Sequence, residues 1–168
     1  FLIAQSGIIN DLRSLKIIGW TTVLFGILLY FSDKRKNEKS LEINFDLKSA
    51  LIIGLLHIFS LIPGVSRSGI AITAARFLKF DRVNAARISF LLSIPTLLAV
   101  SVFGIYNIYI TDSFDIIKLN FSSIVLSFIF SYITMVAFLS YIKKASLDIF
   151  VLYRIVLGIL ILIFAYQS

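Results

Sequence analysis

The sequence predicts an all-α polytopic membrane protein with about four transmembrane helices and one re-entrant helix–loop–helix. Three observations carry this reading. The chain is 59% apolar and 15% charged, with a mean hydropathy of +0.98, whereas a soluble domain carries about a quarter of charged residues. Four apolar runs approach the roughly 20 residues that a helix needs to cross the hydrocarbon core. A further apolar region, between Leu47 and Arg87, is interrupted by a polar turn. No Pro/Gly/Ser-rich linker divides the chain, so residues 1–168 read as a single membrane domain.

The first run is Ser14 to Phe31 (SLKIIGWTTVLFGILLYF), and the second is Ile88 to Ile110, which contains Pro95. The third is Asn120 to Ile142, and the fourth is Ile149 to Tyr166. Pro95 removes one backbone donor and is expected to kink its helix. Trp20 and the tyrosines near the span ends read as an interfacial belt.

The segment from residue 47 to residue 87 is different. It reads LKSALIIGLLHIFSLI, then PGVSRSG, then IAITAARFL, and neither apolar arm is long enough to span alone. Its flanks are basic. Lys34, Arg35, Lys36 and Lys39 precede it, and Arg76, Lys79, Arg82 and Arg87 close it. Lys143 and Lys144 precede the last span, whereas the connection around Asp112 and Asp115 carries only Lys118. The positive-inside rule places the three basic connections in the cytoplasm and the Asp112 connection outside. With both flanks on one side, the hairpin must dip into the membrane and return.

Composition excludes some chemistry. There is no cysteine, which rules out disulfides, thiolate nucleophiles and cysteine metal sites. The net charge of +7 comes from basic residues beside apolar spans and serves topology, so no nucleic-acid partner is expected. None of the nine Asp and Glu residues lies inside an apolar run. A general base or a metal-binding carboxylate at membrane depth must therefore come from outside this chain.

Arg67 is the residue that calls for a function. A charge below the headgroups is costly, and such residues usually face a cavity and mark a site. Gly64 and Gly69 allow close backbone approach, and Pro63 ends the first arm. Ser68 and Gly69 open a new helix whose first amides and dipole favour an anion. Arg67 adds a planar donor fork suited to phosphate, and Ser66 and Ser68 add hydroxyls. His57, the one histidine, is a candidate diphosphate contact or proton carrier. Arg154, in the last span, reads as a side chain that snorkels or fixes a partner and not as a substrate ligand.

The stretch from Leu51 to Pro95 (LIIGLLHIFSLIPGVSRSGIAITAARFLKFDRVNAARISFLLSIP) resembles the bacitracin-resistance family of undecaprenyl-diphosphate phosphatases. FVLYRIVLG, from Phe150 to Gly158, is similar to that family's final helix. The resemblance implies a bundle of interleaved inverted repeats, with two re-entrant hairpins that meet near mid-membrane. It implies a multi-pass enzyme of the bacterial inner membrane, its active site open to the periplasmic side. The reaction would turn undecaprenyl diphosphate into undecaprenyl phosphate, the lipid carrier for peptidoglycan, and would confer bacitracin resistance. A divalent cation, Mg or Ca, is implied as cofactor.

By the same resemblance Arg67 is the catalytic arginine, and Ser66, Ser68, Gly64 and Gly69 complete the diphosphate-binding turn. Two departures stand out. His57 occupies a position where the family usually has glutamine. The family's paired glutamates and its PxSSxGH turn have no counterpart in FLIAQSGIIN, Phe1 to Asn10. The expectation is that these elements, and the metal ligands with them, lie before Phe1, and that this chain alone is inactive. Two rival readings meet different requirements. A phosphatidate-phosphatase-type enzyme needs a histidine downstream of its Ser-Arg pair, and His57 lies upstream. A polyprenyl-phosphate flippase would need no carboxylate pair. A homo-oligomer is left open by the sequence.

Overall fold

The computed structural model describes residues 14–34, 39–110 and 116–167, with side chains described outside 108–121. Arg35 and Lys36 of the first basic connection, Asp112 and Asp115 of the acidic one, and the stretch Phe1 to Asn10 fall outside the described residues. The described chain is helical: α1 (Leu15–Asp33), α2 (Leu41–Asn44), α3 (Leu47–His57), a 3-10 turn (Ile58–Leu61), α4 (Arg67–Phe77), α5 (Arg82–Ile110), α6 (Ile116–Lys144) and α7 (Asp148–Gln167).

Leu15–Asp33, Arg82–Asn107, Ser122–Lys144 and Asp148–Gln167 are long and apolar enough to cross a membrane. They coincide with the four expected runs, with one informative difference. Helix α5 begins at Arg82, six residues before the apolar run does. The Asp81 carboxylate caps it by accepting from the Asn84 amide at 2.8 Å, so polar residues extend the helix beyond the hydropathic boundary. Pro95 lies inside α5 without ending it.

The chain divides into two compact units, one drawn from Phe1–Ser89 and Ser146–Ser168, the other from Phe90–Ala145. In the first, α1 packs on α7 and on α4, and α4 packs on α3. The α1–α7 approach is set by glycines. A Cβ on Gly19 would sit 2.7 Å from Leu162, and one on Gly158 would sit 2.6 Å from Val23. In the second unit, Phe90 and Phe138 meet edge-on at 6.1 Å between ring centroids.

Helices α3 and α4 form a hairpin. Each has 11 residues, about 16 Å at 1.5 Å per residue, roughly half the thickness of a hydrocarbon core. Asp46 caps α3 through the Ser49 amide at 2.8 Å. Lys79, at φ 71°, ends α4 in a Schellman motif: its amide donates to Arg76 O at 3.0 Å and the Phe80 amide donates to Ala75 O at 3.1 Å. The two feet are tied side by side. Lys39 donates to Lys79 O and accepts from the Asp81 amide, and the rings of Phe45 and Phe80 lie 6.0 Å apart. The chain therefore enters and leaves the hairpin at one end.

That same end holds a buried ionic node. Asp33, 1% exposed, meets Arg76, 4% exposed, at 2.9 Å. It also accepts a two-pronged contact from Arg82 at 2.8 and 2.9 Å and the Leu147 amide at 3.2 Å. Arg76 further donates to the Asp33 and Phe80 carbonyls. One carboxylate thus joins the end of α1, the end of α4, the start of α5 and the entry to α7. Arg76 and Arg82, read from sequence as topological charges, are committed to this joint.

Candidate functional site

The turn between the hairpin arms follows from its residues. Pro63 and Gly64 occupy the middle of a four-residue turn closed by Val65 N–H to Ile62 O at 3.1 Å. Gly64 has φ +88°, the value a type II turn demands after proline and one that glycine adopts without penalty. Space demands glycine too, because a Cβ here would fall on the Thr21 hydroxyl and within 2.5 Å of Ile18 O. Val65, 7% exposed, anchors the turn inward. Ser66 then caps α4, its hydroxyl accepting from the Gly69 amide at 3.1 Å.

Helix α1 and helix α7 hold this turn from outside. The Thr21 hydroxyl lies 2.7 Å from Pro63 O. Arg154 Nη2 donates to Gly64 O at 3.0 Å. The Thr22 hydroxyl is also 3.3 Å from Gly64 O, but its single proton is better placed on its own Ile18 O at 2.6 Å. Gly69 leaves room for the arginine, since a Cβ there would sit 2.7 Å from Arg154 Nη1.

What remains open is the first turn of α4. Arg67 and Ser68 are exposed and Ser66 is half-buried, while Ile70 to Arg76 are buried behind them. Ser66 and Ser68 hydroxyls lie 3.3 Å apart. With Gly69 N–H taken by the cap, the amides of Arg67 and Ser68 remain at the helix start, on the same first turn as the exposed Arg67 and Ser68 side chains. This grouping of donors suits a phosphate.

His57 ends α3. It is half-buried, and its Nδ1 is buried without a hydrogen-bond partner among the described residues. The turn thus gathers Gly64, Ser66, Arg67, Ser68 and Gly69 with His57 nearby.

The carboxylates lie elsewhere. Among the described residues, Asp33, Glu42, Asp46, Asp81 and Asp148 sit at or beside helix ends away from the turn. Among the described residues, no three His, Asp or Glu side chains converge as a metal site requires. The described residues therefore do not fit a divalent cation.

Sequence reasoning passed over Thr21 and Thr22, although two adjacent threonines in the middle of an apolar run (GWTTVLF) were a visible polar signal. It also passed over Asp33 as a joint. A carboxylate at the end of a span looks the same whether solvated or buried.

The comparisons with known proteins bear on this geometry. The family model described as Bacitracin resistance protein BacA matches residues 2–160. An undecaprenyl-diphosphatase from Pelagibacter ubique (strain HTCC1062) is 48% identical over 168 residues, which cover 99% of this chain and 65% of the relative. One from Jannaschia sp. (strain CCS1) is 38% identical over 161 residues, covering 96% and 60%. One from Campylobacter curvus (strain 525.92) is 42% identical over 158 residues, covering 89% and 56%. The chain spans 56 to 65% of the length of these relatives.

Proposed function

The chain belongs to the bacitracin resistance protein BacA family, and from that premise we propose that it supplies the arginine-bearing part of an undecaprenyl-diphosphatase. The reading rests on one observation above others. Arg67 and Ser68 are exposed at the first turn of α4, on a backbone held from two neighbouring helices by Thr21 and Arg154. The names of the relatives support the substrate. A flippase is not favoured, since these relatives are named for hydrolysis.

In this proposal the hairpin re-enters the bacterial inner membrane from the cytoplasmic side. Its tip meets α1 at Thr21 and Thr22, some 11 or 12 residues before the helix ends at Asp33. That is about 17 Å along the axis, near the middle of a hydrocarbon core about 30 Å thick. The polyprenyl tail can stay in the lipid while its diphosphate reaches the turn from the periplasmic side.

The terminal phosphate then sits at the start of α4, bound by the Arg67 fork, the Arg67 and Ser68 amides and the Ser68 hydroxyl. Ser66 acts mainly by capping, and Gly64 and Gly69 act by shape. His57, at the end of α3, contacts the diphosphate in this proposal. An oxygen nucleophile, water or a serine from outside this chain, attacks the terminal phosphorus in line. The bond from that phosphorus to the bridging oxygen breaks, and the electron pair leaves with undecaprenyl phosphate. Water supplies the last oxygen of inorganic phosphate, directly or by hydrolysing the phosphoserine. Arg67 neutralises charge on the equatorial oxygens, the main service a protein gives phosphoryl transfer. The Mg or Ca ion of the resemblance stays part of the proposal. The described residues do not fit it.

Replacing Arg67 by alanine in the full-length protein tests the reading. Phosphate release from undecaprenyl diphosphate in detergent should fall by about a hundredfold or more, as for loss of a group that binds developing charge. The variant should remain folded by size-exclusion chromatography. Near-normal turnover would overturn the assignment.

A further inference from the structure

Arg154 lies in the second turn of α7 and sends its guanidinium to the tip of the hairpin. Nη2 donates to Gly64 O at 3.0 Å. Nη1 fills the gap that Gly69 leaves. Nε is buried and has no hydrogen-bond partner among the described residues. Asp33, Glu42 and Asp148 are the carboxylates found in ion pairs there, and each pairs with another cation.

A half-buried arginine without a carboxylate is an expensive way to pack two helices. A leucine would serve packing better. The side chain instead delivers a charged donor to one carbonyl in the middle of a type II turn. Among the described residues no other donor is as well placed there, since the Thr22 proton is taken by Ile18 O at 2.6 Å.

We propose that Arg154 is a positioning residue for Arg67. By holding the Gly64 carbonyl and resting against Gly69, it grips the turn on both sides of Ser66, Arg67 and Ser68. The peptide after Gly64 then cannot rotate, the Ser66 cap stays in register, and Arg67 leaves α4 in one direction. This inference rests on the reading of Arg67 given above.

The test is a double-mutant cycle in the full-length protein, with phosphate release normalised to the folded fraction. Arg154→Met keeps the aliphatic length and removes the donor. Its kcat should fall about ten- to a hundredfold, the usual worth of a hydrogen bond from a charged group, with KM unchanged to within about twofold. On an Arg67→Lys background the same change should matter by no more than about twofold, because the group it positions is already altered. Gly69→Ala, which pushes the guanidinium aside, should reproduce the kcat loss and be non-additive with Arg154→Met.

An unchanged kcat per folded molecule in both variants would make Arg154 merely structural and overturn the inference. A raised KM with an undiminished effect on the Arg67→Lys background would make it a direct ligand and overturn it equally. If Arg67→Lys itself left turnover unaltered, the failure would belong to the functional reading and not to Arg154.

Discussion

Helix α4 buries seven consecutive residues, Ile70 to Arg76, and three of them are alanines at 0% exposure. Helix α6 buries none of its most apolar 18 residues, and leaves Phe128 and Phe130 exposed at 72% and 65%. A water-soluble protein would show the opposite. Lipid is as apolar as leucine, so a large apolar side chain gains little by turning inward. What brings helices together is close approach through small residues and satisfied polar groups, and α4 has both. In such a chain the chemistry belongs to the less apolar helix.

Breaking the polar joint at the foot of α4 should have the largest effect on stability. Asp33→Asn leaves Arg76 buried without its counter-charge, and removal of one partner of a buried pair costs about 3–5 kcal/mol. Unfolding of the detergent-solubilised protein by a denaturing surfactant should shift accordingly. A shift below about 1 kcal/mol would mean that water reaches the node, and that α4 is less enclosed than its exposure indicates.

The small side chains can be tested against the large ones. Ala74→Leu should destabilise by about 1–3 kcal/mol through overpacking, while Phe128→Leu in α6 should stay within about 0.5 kcal/mol. The same unfolding assay measures both. Equal costs at the two positions would erase the distinction and show that α6 is covered in the full-length protein.

The smallest effect belongs to the end of α4. Lys79 holds a left-handed conformation at φ 71°, which costs a residue with a Cβ about 1–2 kcal/mol. Glycine avoids that cost and returns about 0.5–1 kcal/mol in unfolded-chain entropy. Lys79→Gly should therefore raise stability by up to about 1 kcal/mol. A loss would indicate that the lysine side chain supports the foot of the hairpin.

Much of the architecture was legible beforehand. Four spans could be read because crossing lipid requires an unbroken apolar run of set length. The expected ends of α1, α6 and α7 differ from the observed ones by a few residues. The start of α5 differed more, because hydropathy cannot register a cap such as Asp81. The turn at Pro63 and Gly64 was legible because those residues carry their own backbone preference. At the site, the grouping of Ser66, Arg67 and Ser68 was visible since it is contiguous in sequence.

That this chain is helical, apolar enough for a bilayer and broken once by a polar turn follows from its residues alone. Those properties are local, written in residues within a few positions of one another. What steadies the turn was settled by the packing of the helices. Thr21 is 42 residues from Pro63, and Arg154 is 90 residues from Gly64, so their meeting depends on how α1, α4 and α7 pack. That packing likewise decided that Asp33, Arg76 and Arg82 form one buried joint, because spacing along a chain does not say which charged ends will meet away from water.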